Sequence, residues 1–390
     1  MIGIAIKDRG AILPAGHNAN AAYWFDGETG AWMSSTYYMK TLPGWVNDFN
    51  KLELPKKYCS QMWTTLLPID RYTESTTDDT KYEGKFSGET APVFPHDLPK
   101  LMAANSGLGI IRNSPFGNSL TKDFAIQTIK SENLGKGNFT DMLTLSFSST
   151  DYVGHMYGPQ SIEVEDTYLR LDKDLGELLK FLDAWVGKTN VLIFLTADHG
   201  AVENPSYLSD MGIPAGNINS GKFVDSLKRS FTKKYGDSLI LAYENQEFYL
   251  DHAVISKKKL DLSEIENTIT NYVLTIKGVS GTINTASFSN SNCPPDVTLK
   301  VRNGHLTKRS GDLYVHYEPS WIEFGSTGTT HGSPYPYDTH VPLLWYGWNV
   351  KPGSTSSPVE ITDIVPTLSQ LLDVQVPDGC TGKPIPNLIK

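Results

Sequence analysis

Residues 149–155 read STDYVGH, residues 196–200 TADHG and residues 329–333 TTHGS, which together bring in Asp151, His155, Asp198, His199 and His331. An acid buried beside an imidazole is costly unless each has a partner, and a metal ion suits both. Carboxylates mixed with imidazoles point to zinc, because calcium and magnesium prefer oxygen ligands alone. Each stretch alone has a plainer explanation: a helix cap for Asp198 and His199, a solvated turn for Asp151 and His155, a loop histidine for His331. A second pair, Lys7 and Arg9 in KDRG, carries a point charge and a planar fork two residues apart. Its plainer explanation is a charged strand end.

The neighbouring elements decide whether these residues can meet. DMLTLSFSS (141–149) reads as a strand, and 161–185 as a helix with a stripe of Leu171, Leu175, Leu178, Leu179 and Leu182. Acids crowd that helix's first turn beside Ser161, where the helix dipole favours them. The strand VLIFLTA (191–197) follows, and strand, helix, strand in this order predicts a right-handed crossover in a parallel sheet. In such sheets functional groups gather at the carboxyl ends of strands, so Asp151, His155, Asp198 and His199 should share one rim. IGIAI (2–6) reads as a buried strand, on which Lys7 and Arg9 would share a face if it continues.

Residues of about 20–100 are rich in Trp, Tyr, Pro and polar types without sustained periodicity, which reads as an irregular insertion covering the core. Residues 221–290 alternate short helices and strands in the manner of a small inserted cap. The core is expected to return with a strand over 311–319, followed by the loop 325–340, a strand over 341–347 and a helix over 362–374. The predicted fold is therefore α/β: a doubly wound, mostly parallel sheet with helices on both faces, formed by 1–220 and 291–390, plus an α+β cap at 221–290.

The chain has 390 residues and a formal charge of −9, which argues against a nucleic-acid-binding module. No apolar stretch approaches the roughly 18–20 residues of a membrane span, and the first residues carry no signal-peptide pattern. The three cysteines, Cys59, Cys293 and Cys380, lack CxxC spacing and define neither a thiolate zinc site nor a disulfide framework.

Taken together, KDRGAILPAGH (7–17), SSTDYVGHMYGP (148–159), TADHGA (196–201) and THGSPYPYDTHVPLLWYG (330–347) resemble the alkaline phosphatase superfamily. The resemblance is to its monomeric, zinc-dependent bacterial phosphatases, related to the nucleotide pyrophosphatase/phosphodiesterase branch. It implies a two-metal phosphomonoesterase acting on a phosphate-ester substrate, with one zinc on Asp151, His155 and His331 and a second on Asp198 and His199. Lys7 and Arg9 match the pair that contacts the phosphoryl oxygens, and Asp338 and His340 look like supporting residues. The resemblance further implies a monomer and a periplasmic or secreted parent protein.

In the relatives an Asp completing the second zinc site and a Thr nucleophile lie upstream of the Lys/Arg strand, and neither can be matched here. The expectation is thus an amino-terminally incomplete phosphatase, with one complete and one partial zinc site and negligible hydrolysis by itself. Two alternatives stand beside it: a phosphodiesterase or nucleotide pyrophosphatase of the same superfamily, and a degenerate homologue that binds metal or phosphate without turnover.

Overall fold

A computed structural model describes residues 1–386 and 388. The first sheet has the order β3-β2-β1-β4, formed by β1 (Ile2–Ala5), β2 (Ala21–Asp26), β3 (Ala31–Met33) and β4 (Leu143–Ser146). β1 runs parallel to both β2 and β4, and β3 closes the far edge as an antiparallel hairpin partner of β2. All four residues of β1 are buried, as expected of a central strand with both faces covered. Helix α1 (Asp8–Ala15) follows β1 at once, α2 (Phe116–Ser131) packs beneath it, and α3 (Ser149–Tyr157) and α4 (Ile162–Trp185) lead away from β4. Ser161 caps α4 by accepting the Val164 N–H, a bond worth roughly 1 kcal/mol at a helix start.

The core over this sheet is aromatic. Trp32 stacks on Phe124 of α2 with centroids 4.1 Å apart, and Tyr23, Phe25 and Trp63 are buried around them. These residues come largely from the stretch read as an irregular cover, so part of it, β2 and β3, belongs to the sheet itself. The remainder, to about residue 113, holds only short helices.

β5 (Leu192–Thr196) departs from the expected crossover. Its hydrogen-bonded partner is β12 (Leu343–Gly347), antiparallel, and it shares no ladder with β4. Every residue of β4 and β5 is only half-buried, so neither is flanked as the centre of a continuous sheet would be. The strand predicted over 311–319 is also displaced. It forms β10 (Leu313–Tyr317), which joins β7 (Ile240–Glu244), β8 (Glu247–Leu250) and β9 (Val279–Asn284) in a second, antiparallel sheet of order β7-β8-β10-β9. All five residues of β10 are buried, and Leu313 and Val315 enter the apolar cluster of this sheet with Phe248, Phe231 of α5 (Ser220–Tyr235) and Ile269 of α6 (Leu262–Val273). That apolar pairing outcompetes a return to the first sheet. The short parallel pair β6 (Gly216–Asn217) and β11 (Trp321–Ile322) brackets the unit, and α7 (Ile364–Leu371) lies near the carboxyl end.

Candidate metal centre

α3 starts three residues after β4, which puts Asp151 in its first turn and His155 one turn later on the same face. The helix dipole favours a carboxylate at that end. β5 ends at Thr196 and delivers Asp198 and His199 from the turn that follows, while the loop after β11 delivers His331. Four of these five groups meet around one carboxylate oxygen, that of Asp151. Asp151 Oδ1 lies 3.2 Å from His155 Nε2 and 3.6 Å from both His199 Nε2 and His331 Nε2. The donor atoms of Asp151, His155 and His331 are all within 4.8 Å of one another.

Two ligands about 2.0–2.1 Å from a tetrahedral zinc are separated by about 3.3 Å, so this spacing and this donor set fit zinc. The His155 ring is turned for the purpose, since its Nδ1 bonds the Thr329 carbonyl at 2.8 Å and leaves Nε2 facing Asp151. A backbone acceptor on the far nitrogen is the usual way a ligand imidazole is oriented.

Charge follows from contact. Burial pushes the Asp151 carboxyl up, but bonds from His155 and Lys7 outweigh it and hold the group well below the ordinary carboxylate range. The same bond to Asp151 raises His155. Burial, then the neighbouring His199, lowers His331 to about 4, which keeps its ring neutral and its lone pair available at neutral pH. The His199 and His331 rings are nearly parallel with centroids 3.2 Å apart.

Lys7 and Arg9 do not share a strand face. β1 stops at Ala5, Lys7 caps α1, and Arg9 lies exposed in the first turn with its N–H on Asp8 Oδ1. Lys7 reaches inward to pair with Asp151 Oδ2 and passes over the Tyr152 ring, 4.5 Å from its centroid. Asp198 points outward with a side chain 91% exposed, 3.6 Å from His199 Nε2, so His199 gathers with the Asp151 group while Asp198 stays at its margin. Among the described residues, none of the five candidate ligand side chains bonds a serine or threonine hydroxyl.

Of the supporting residues read from YDTH, Asp338 is buried and His340 exposed. His96, His252 and His316, which carried no motif, are hydrogen-bonded to Glu89, Asp312 and Tyr335 and take no part in the cluster. Sequence reasoning missed Asn204 and the loop-holding role of Thr329. Thr329 Oγ1 donates to the Val202 carbonyl at 2.6 Å, and Asn204 Nδ2 donates to the Gly328 carbonyl at 2.7 Å. The available signal was the loop's run of small residues, GSTGTTHGS, which lets backbone approach backbone. A Cβ at Gly328, where φ is +70°, would lie 2.0 Å from the His155 carbonyl oxygen. All three cysteines are free.

Residues 4–340 match the family model of type I phosphodiesterase / nucleotide pyrophosphatase. The chain is similar over its full length to a Myroides odoratus protein named a calcium-transporting ATPase (43% identity, 72% of that protein). It is similar over its full length also to the alkaline phosphatase PhoV of Synechococcus elongatus (43%, 70% of that protein) and to the alkaline phosphatase PafA of Elizabethkingia meningoseptica (42%, 71% of that protein). The crystal structure of wild-type PafA superposes with a TM-score of 0.95 at 41% identity, covering 100% of this chain and 74% of PafA. The chain has the α/β fold of PafA and belongs to the type I phosphodiesterase/nucleotide pyrophosphatase family of the alkaline phosphatase superfamily, as an alkaline-phosphatase-type phosphohydrolase.

Proposed function

We propose that this chain acts on phosphate monoesters at a zinc centre formed by Asp151, His155 and His331, with a second, partial zinc position at Asp198 and His199. The observation that carries the reading is the convergence of one carboxylate and the imidazole Nε2 atoms on a single point. Bound zinc would supply Lewis-acid polarisation of a phosphoryl oxygen. The chain's own residues supply the rest. Asp151, ionised by its contacts, and His331, neutral, offer ready donor atoms. Lys7 brings a positive charge to the same point, and Arg9, exposed at the start of α1, can swing its fork onto phosphoryl oxygens. Two positive groups favour a dianionic monoester over a monoanionic diester.

A PafA variant altered at a threonine, an asparagine, a lysine and an arginine superposes with a TM-score of 0.94, and its lysine and arginine are two residues apart, the spacing of Lys7 and Arg9. In-line phosphoryl transfer also needs a positioned nucleophile, and very slow hydrolysis by this chain, in which no motif matches the nucleophile of the relatives, is part of the proposal. Diester hydrolysis is the second reading, favoured by the description of the matching family. The proposed division keeps 1–220 and 291–390 as the catalytic core with 221–290 as a cap, and β10 lends a strand to the cap's sheet. Among the described residues no helix is long and apolar enough to cross a membrane, and periplasmic or secreted residence and a monomeric state are further parts of the proposal.

Titrating the zinc-loaded chain with inorganic phosphate and with dimethyl phosphate tests the reading. Phosphate should bind at least 10-fold more tightly than the diester, and Arg9→Ala should erase most of that preference. Equal affinities would favour the diester reading. Rapid turnover of an aryl phosphate, abolished by Asp198→Ala, would mean that a nucleophile lies among these residues after all.

A further inference from the structure

We propose that Asp338 is a positioning residue that sets zinc affinity by tying the loop of His331 to the turn of His199; this rests on the zinc reading above. Asp338 is 3% exposed, and its Oδ2 accepts three bonds: from the Gly332 N–H at 3.1 Å, the Ser333 N–H at 2.8 Å and Ser333 Oγ at 2.7 Å. Its own carbonyl accepts the Gly200 N–H at 2.8 Å. One residue therefore holds the chain immediately after His331 and the chain immediately after His199.

A buried carboxylate is expensive, and three donors on one oxygen are what makes it tolerable. Its Oδ1 has no partner among the described residues, so no other bond explains why an acid occupies this position. The seam has no slack, because a Cβ at Gly200 would lie 2.2 Å from the Tyr337 carbonyl oxygen.

His331 is gripped from the other side as well. The Thr329 N–H donates to the His155 carbonyl at 3.2 Å, and Thr329 Oγ1 and Asn204 fix residues 328 and 329 as described above. His331 thus hangs between two polar clamps, and Asp338 is the one on its carboxyl side. Removing it frees the backbone at 332–333, lets the His331 ring leave the point shared with Asp151 and His155, and loosens His199 at the same time. The effect on zinc is transmitted through residues 332–333 and 200, since among the described residues no hydrogen bond joins Asp338 to a candidate ligand side chain.

The test is zinc affinity of the full chain, measured by competition with a chromophoric chelator for wild type, Asp338→Asn, Asp338→Ala and Ser333→Ala, with circular dichroism of each. Asp338→Ala should raise the zinc Kd by about 10–100-fold, the range usual for residues supporting metal ligands. Asp338→Asn should lose less, because its amide oxygen can still accept the three donors, and Ser333→Ala should lose a few-fold. The His331 ring resonances of the zinc form should broaden in the same order. Native dichroism with wild-type Kd in all three variants would overturn the proposal, leaving Asp338 a stabiliser of the fold only. If Asp338→Ala fails to fold, Asp338→Asn and Ser333→Ala decide by the same criterion. Weak zinc binding by wild type itself would instead overturn the zinc reading and this inference with it.

Discussion

Lys7 and the candidate metal centre compete for one carboxylate. Its ammonium pairs with Asp151 Oδ2 while Oδ1 faces the three imidazoles, so a cation entering the site does so against a positive charge already in place. Lys7→Met should therefore bind zinc several-fold more tightly than wild type while binding phosphate more weakly, opposite changes that paired calorimetric titrations would resolve. A loss of both affinities would mean that Lys7 orders Asp151 rather than opposing the metal. At this scale the position of the site was largely legible: the motifs taken together named Asp151, His155, His199 and His331, whose side chains gather in the structure, while Asp198 from the same set stays at the margin. What stayed hidden was backbone work. The Thr329 carbonyl that orients His155 and the carbonyl of Asp338 that meets Gly200 leave no trace in residue type.

The turn after β5 lies against residues 337–338 by close backbone approach at Gly200, where a Cβ would be 2.2 Å from the Tyr337 carbonyl oxygen. Gly200→Ala should push residues 337–338 away, costing about 1–3 kcal/mol in urea unfolding, as overpacking usually does, and weakening zinc binding in the same protein. A fully stable variant with normal zinc binding would show that the seam can relax. The elements themselves were read well where periodicity was local. Helix α4 was foreseen from its leucine spacing and its cap. Pairing was read less well, because strand partners are set by long-range competition. The apolar run of β5 did not specify β12 over β4, and the alternating chemistry of β10 did not reveal that Phe248 and Phe231 would claim it. The abrupt stop of β1 at Ala5 likewise turned an expected strand face into a helix cap for Lys7.

The molecule as a whole carries a second buried polar cluster, behind α3, whose protonation bears on stability. His96 is fully buried between Glu89, 2.7 Å from Nδ1, and Glu163, 3.3 Å from Nε2. Burial opposes its charge, but the neighbouring carboxyl groups of Glu163 and Glu89 prevail and raise it to about 9. Glu83, raised to about 8 chiefly by burial and then by Glu163, lies nearby. For both groups the folded state holds the proton more tightly than the unfolded state, so stability falls as pH rises. The His96 contribution is complete below about 6.5 and is lost as pH climbs through about 9. Melting temperature should thus decline between pH 7 and 10, and His96→Gln should flatten the decline while lowering the value at pH 7. A wild-type curve that is level across this range would refute the assignment. The central claim, that one carboxylate and the imidazoles gathered at α3 form a zinc centre, is tested most directly by X-ray absorption at the zinc edge on the chain loaded with one equivalent. The spectrum should show only nitrogen and oxygen neighbours at about 2.0–2.2 Å with histidine multiple scattering, reduced by one imidazole in His331→Ala. Sulfur at about 2.3 Å, or a spectrum unchanged by that substitution, would contradict it.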